Sequence, residues 1–117
     1  MAETSYYLAF FETQMSEGTD AAREEAIRGF LALLEKRKGH WTPLFTEKPY
    51  AVDSAVANAQ LSALARKRGA TQEAQDYLNL AASFCPQIGW QDCSAEKIVS
   101  HAQRLDKHGL FGGKGSQ

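Results

Sequence analysis

Residues 19–39, TDAAREEAIRGFLALLEKRKG, decide the fold class. Ile27, Phe30, Leu31 and Leu34 recur at i, i+3, i+4 and i+7, the spacing that lines one face of an α-helix. Arg23, Glu24, Arg28 and Glu35 fall mostly on the other side. Thr19 and Asp20 offer side-chain oxygens to the orphan amides of a first turn, and Gly39 takes the left-handed turn that ends a helix cheaply. The same punctuation recurs along the chain. Asp53-Ser54 opens a segment closed by Gly69, Thr71 opens one halted by Pro86, and Ser94 opens one ended by Gly109. The expected fold is all-α, a compact bundle of four to five helices.

One stretch resists this reading. Tyr6, Tyr7, Leu8, Ala9, Phe10 and Phe11 form a continuous apolar run, which fits a buried strand or a helix buried nearly all round. A lone strand needs a partner, and the only candidate, residues 44–52, is interrupted by Pro49. Residues 5–15 are therefore expected to be helix, ended at Gly18, with a lone strand as the alternative. Residues 54–68 are rich in alanine, and Val56, Ala57, Leu61, Leu64 and Ala65 make a thin apolar stripe that lets a neighbouring helix approach closely. Residues 1–111 read as one helical domain and residues 112–117 as a flexible C-terminal tail. The tail's Gly-Lys-Gly-Ser lacks the glycine spacing, strand and helix of a phosphate loop.

A chain of 117 residues with 44% hydrophobic and 23% charged residues has enough apolar surface for one core. Its net charge of -1 gives no global pull toward nucleic acid or anionic lipid, although local patches can still bind anions. Residues 6–11 are too short for a membrane span and no cation precedes them, so no membrane association is expected. With two cysteines and no leader, a reduced, cytoplasmic setting is the expectation, and a Cys85–Cys93 disulfide stays open for an exported protein.

Four constellations carry the functional reading. The first is the linker of residues 39–52, long for a compact domain and stiffened by Pro43 and Pro49. Its His40, Trp41, Phe45 and Tyr50 suit a partner-binding surface, since Trp and Tyr are enriched where interfaces concentrate their energy. The same aromatics also suit a lid packed on the core. The second is a pair of basic triplets, Lys36-Arg37-Lys38 and Arg66-Lys67-Arg68, each in the last turn of an expected helix. Cations there complement the helix dipole, and if the two ends were adjacent they would form an anion or nucleic-acid patch.

The third is a degenerate helix-turn-helix over residues 61–80, in which Gln75 stands where an apolar anchor belongs; a plain helical hairpin explains the same residues. The fourth is Cys85, Cys93, His101 and His108, the donor types of a structural zinc site at spacings that zinc sites do not use. No nucleophile elbow, carboxylate pair or glycine loop is present, so neither catalytic residues nor a cofactor are expected. The sequence points to a non-enzymatic interaction protein: an adaptor, a small subunit of an assembly or a stoichiometric inhibitor. Its partner would be a protein or nucleoprotein complex. A nucleic-acid binder using the triplets and a small metal-stabilised module are the alternatives, and homo-oligomerisation through the alanine-rich helix is open.

Overall fold

Thr19 does cap the segment that begins at Asp20: its Oγ1 accepts from the Ala22 amide at 3.2 Å. The computed structural model describes residues 11, 13–16, 18–41, 43, 46–89 and 94–105. Among them lie five helices and no strand: α1 (Asp20–Arg37), α2 (Glu47–Lys67), α3 (Thr71–Ser83), α4 (Cys85–Ile88) and α5 (Ala95–Leu105). Residues 11 and 13–16 are helical as well, which favours helix over strand for the described part of the N-terminal run. Residues 1–10 and the tail 112–117 lie outside the described residues. The radius of gyration is 13.8 Å, against about 13 Å for a compact chain of this size.

The N-terminal turn ends where a side chain is not tolerated. The Gly18 amide donates to Gln14 O at 2.8 Å, and a Cβ on Gly18 would lie 2.6 Å from that same oxygen. Arg23 Nε donates to Met15 O at 2.9 Å, so α1 supplies a donor to the exposed carbonyls of the preceding turn. The expected helix ends at Gly39 and Gly69 are both observed, with φ of +86° and +82°.

Two expected helix starts move. The helix assigned to Asp53-Ser54 begins at Glu47 instead, with Thr46 O accepting from the Tyr50 amide at 3.2 Å. Pro49 does not prevent this, because amides of a first turn have no intrahelical acceptor to lose. Much of the supposed linker is therefore the first turns of α2. Thr71 is the first residue of α3 rather than its cap; Ala70 holds the cap position, and its carbonyl accepts from Ala74 at 2.9 Å.

The helix α2 is the axis of the molecule. Its thin stripe turns out to be most of its circumference: Tyr50, Ala51, Ala55, Ala57, Ala59, Leu61, Leu64 and Ala65 are buried, and so are Ser54, Asn58, Gln60 and Ser62. Small side chains make this feasible by letting neighbours close in on several sides. Two of the buried polar residues are satisfied locally, Asn58 Nδ2 donating to Ser54 O and Ser62 Oγ to Ala74 O.

Packing fixes the directions. Met15 and Ile27 meet Ala57, Leu61 and Leu64, while Leu34 meets Tyr50, Ala51 and Ala55. So α1 runs antiparallel to α2. On α3, Ala74 is bound by Ser62, Ala81 packs on Ala59, and Phe84 beyond its end reaches Tyr50. That pairing continues along both helices, as in an antiparallel hairpin. A helix-turn-helix would instead cross steeply and part after the turn. Gln75 faces outward and donates to Asn79 at 3.1 Å, so the helix-turn-helix expectation gives way. Finally, α5 lays Ile98 and Ala102 against Ala59, Ala81 and Cys85. Its start is capped by Ser94, whose Oγ accepts from the Lys97 amide.

Candidate partner-binding surface

At the end of α1 the chain turns back on itself. The Lys38 amide donates to Glu35 O at 3.2 Å and the His40 amide to Arg37 O at 3.0 Å. This turn sets the Trp41 ring 5.8 Å from that of Tyr50, tilted by 56°. Tyr50 meets Phe84 edge-on, 5.9 Å away. The result is a row of three aromatic rings, supplied by the α1–α2 connection, the first turn of α2 and the end of α3.

The members of this row play different parts. Tyr50 is 2% exposed and its hydroxyl donates to Glu35 Oε2 at 2.8 Å. Burial, then the hydrogen bond to Glu35, pushes its pKa up to about 12. Tyr50 thus lies buried beneath the outer ring, in the first turn of α2 and not in a loop. Trp41 is the outward member, 41% exposed. Among the described residues it shares that standing only with Leu80, which is 52% exposed and lies one turn before Phe84 on α3. Phe45 lies outside the described residues.

The residues flanking the Trp41 turn in sequence carry exposed charges of both signs, Glu35 and Glu47 as well as lysines. Lys36, Lys38, His40 and Lys48 are exposed, and Lys38 Nζ lies 5.9 Å from the centroid of the Tyr50 ring. Arg37 is partly buried and engaged. Neither Lys48 nor Leu80 stood out in the sequence. Lys48 sat in an apparent loop, and the position of Leu80 off the Ala74, Leu78 and Ala81 stripe was the one available sign of its exposure.

The second triplet is elsewhere, and while Arg66 is exposed its other two members are already engaged. Lys67 Nζ pairs with Asp20 at 2.9 Å, and Arg68 Nη2 with Glu24 at 2.7 Å and with Glu73 at 3.0 Å. Arg28 Nη2 joins the same carboxylates and donates to the Tyr77 hydroxyl at 2.9 Å. The bonds from Glu24, then Glu73, raise the Arg68 pKa, and Arg68 holds the Glu73 carboxyl below the usual range. Because Arg68 docks at Glu24, the two triplets stand at opposite ends of α1, about 20 Å apart at 1.5 Å per residue. The single patch formed by adjacent triplets is not assembled.

The zinc reading fails on its first ligand. Cys85 is fully buried and disulfide-bonded, so it has no thiolate to give a metal. His101 lies on α5 with Arg104 at its Nδ1, while Cys93 and His108 lie outside the described residues. Among the described residues no group of three or more His, Cys, Asp or Glu is placed to hold a metal, and no helix is long and apolar enough to cross a membrane. Set against family models, curated proteins and solved structures, the chain matches none.

Proposed function

We propose that this chain is a non-enzymatic helical interaction protein that engages a macromolecular partner through the Trp41 end of the bundle. One observation carries the reading: an indole 41% exposed, yet seated on the buried Tyr50 ring. A large aromatic held in place loses little entropy when a partner covers it, which is what makes such residues interface anchors. Lys38 beside the Tyr50 ring, with the exposed Lys36, His40 and Lys48 close to it in sequence, supports an acidic protein surface as the partner. Adaptor, small subunit and stoichiometric inhibitor are all forms of this activity, and so is contact with a second copy.

Nucleic acid is the competing partner, now resting on Lys36, Lys38 and His40, because Lys67 and Arg68 are already paired. The test is an affinity capture from source cells with the intact chain, Trp41→Ala and Lys36→Glu/Lys38→Glu, run with and without nuclease. A protein retained by the intact chain at stoichiometric amounts and lost from Trp41→Ala at unchanged melting temperature is the expected result. Retention that vanishes with nuclease, or falls by orders of magnitude between low and moderate salt, assigns the surface to nucleic acid instead. Identical capture by all three chains overturns the proposal. A cytoplasmic location fits this reading only if the Cys85 disulfide exchanges with cellular thiols.

A further inference from the structure

The helix α5 presents two unlike faces. Ile98 and Ala102 are buried against Ala59, Ala81 and Cys85. Lys97, His101 and Arg104 stand at i, i+4 and i+7, the spacing that aligns side chains along one side of a helix. Arg104 Nη2 donates to His101 Nδ1, and because a guanidinium only donates, that nitrogen offers its lone pair and carries no proton. Desolvation, then the fields of Arg104 and Lys97, hold the His101 pKa below its ordinary value, so both cations stand close to the ring.

Elsewhere in the bundle cations meet carboxylates. Arg23 and Lys67 pair with Asp20, and Arg28 and Arg68 with Glu24 and Glu73. Lys97 and Arg104 are exposed, and among the described residues neither pairs with a carboxylate. Their neighbour in sequence, Glu96, is turned about 100° from Lys97 around the helix. Two charges without a counterion on the bundle therefore lie along one straight row, about 10 Å long at 1.5 Å per residue.

The partner follows from charge complementarity and from what the row lacks. Protein interfaces concentrate their affinity in aromatic and other large anchors, and the described residues of α5 expose no large hydrophobic side chain. Single-stranded nucleic acid stacks its bases on aromatic platforms, which this face lacks for the same reason. A duplex backbone needs neither. It carries one negative charge per about 1.7 Å of axis and gains affinity by releasing counterions to protein cations. We propose that Lys97 and Arg104, in a row with His101 between them, dock the phosphate backbone of a nucleic-acid duplex without reading its bases. The row uses none of the residues assigned to the Trp41 surface, so a protein partner there and a duplex here are independent.

Fluorescence anisotropy of a labelled DNA duplex of about 20 base pairs, titrated with the full chain across a salt series, tests this. Lys97→Gln/Arg104→Gln should weaken binding about tenfold or more at low salt and make the slope of log K against log salt shallower by about 2. Lys97→Arg/Arg104→Lys keeps both charges and should keep the slope. A duplex of unrelated sequence should bind equally well. Both variants replace exposed side chains, and circular dichroism checks their helical fold before titration. No binding by the intact chain at low salt overturns the proposal, as does an unchanged slope in Lys97→Gln/Arg104→Gln. Loss confined to Lys36→Glu/Lys38→Glu overturns it by placing the phosphates on those lysines. Tighter binding to single-stranded DNA, to phosphatidylserine vesicles or to polyglutamate than to the duplex overturns it in favour of that class of partner.

Discussion

Arg68 and Glu24, 44 positions apart in the chain, meet as a two-point fork: Nε lies 3.0 Å from Oε1 and Nη2 2.7 Å from Oε2. The fork ties the end of α2 to the second turn of α1, and Glu73 from the first turn of α3 closes it from the other side at 3.0 Å and 3.2 Å. A charge that would serve a phosphate contact on an isolated helix is here paired across the bundle's surface. It fixes where three helices meet.

Replacing Arg68 with Met should lower the melting temperature modestly at low salt. The deficit should narrow near 1 M salt, where the screening length is about 3 Å. Arg68→Lys keeps the charge but cannot make the fork, so it should restore only part of the loss. Calorimetry across a salt series reads both; a deficit independent of salt would point to packing of the Arg68 stem.

Glu73 gives the network a pH signature. Its folded carboxyl titrates below the ordinary carboxylate value of 4.5 because Arg68, and then Arg28, favour the ionised form. The associated stability is present above that value and is lost as pH falls through the lower folded value. Urea midpoints of the intact chain and Glu73→Gln should differ near neutral pH and converge as the pH falls through the lowered folded value. A constant difference across that range would remove Glu73 from the network.

Tyr50 behaves in the opposite sense. Its pKa is raised from 10.0 to about 12 by burial and by Glu35, so the folded state keeps a proton that the unfolded state releases. That contribution is complete below pH 10 and fades as pH climbs toward 12. Tyr50→Phe should cost about 0.5–1.5 kcal/mol at neutral pH through the lost bond to Glu35. The same variant should show a flatter alkaline decline in stability. Denaturant titrations at neutral and alkaline pH measure both, and parallel declines in the two proteins would contradict the assignment.

Ala59 tests the close approach of α5 to α2. It is buried against Ala81, Cys85, Ile98 and Ala102, so Ala59→Leu should destabilise by about 1–3 kcal/mol through overpacking. Leu80→Ala, on the exposed flank of α3, should change stability by no more than about 0.5 kcal/mol. Urea unfolding of the two variants side by side settles it, and equal effects would mean that α5 does not rest on Ala59.

Residue order by itself determined the helical elements. Ile27, Phe30, Leu31 and Leu34 share a face at helical spacing, Thr19 and Ser94 cap their helices, and Gly39 and Gly69 turn left-handed at the ends. These are local effects, acting within a turn or two, and a linear chain displays them openly. The surface was legible only in outline. Trp41 and His40 were singled out from the apparent linker, but Tyr50 looked equivalent to Trp41 until the Glu35 bond and the Phe84 ring enclosed it.

Tertiary structure alone decided what each charge and each aromatic faces. Lys36-Arg37-Lys38 and Arg66-Lys67-Arg68 look alike in sequence, yet Lys67 and Arg68 of the second are held by Asp20, Glu24 and Glu73 while Lys36 and Lys38 of the first remain exposed. The reason is that ion pairs and ring contacts join residues tens of positions apart, and no periodicity within one helix encodes the meeting of two. The start of α2 moved for the same reason. Burial of Tyr50 between Leu34 and Ile88 extends the helix through Pro49, where local rules placed a loop.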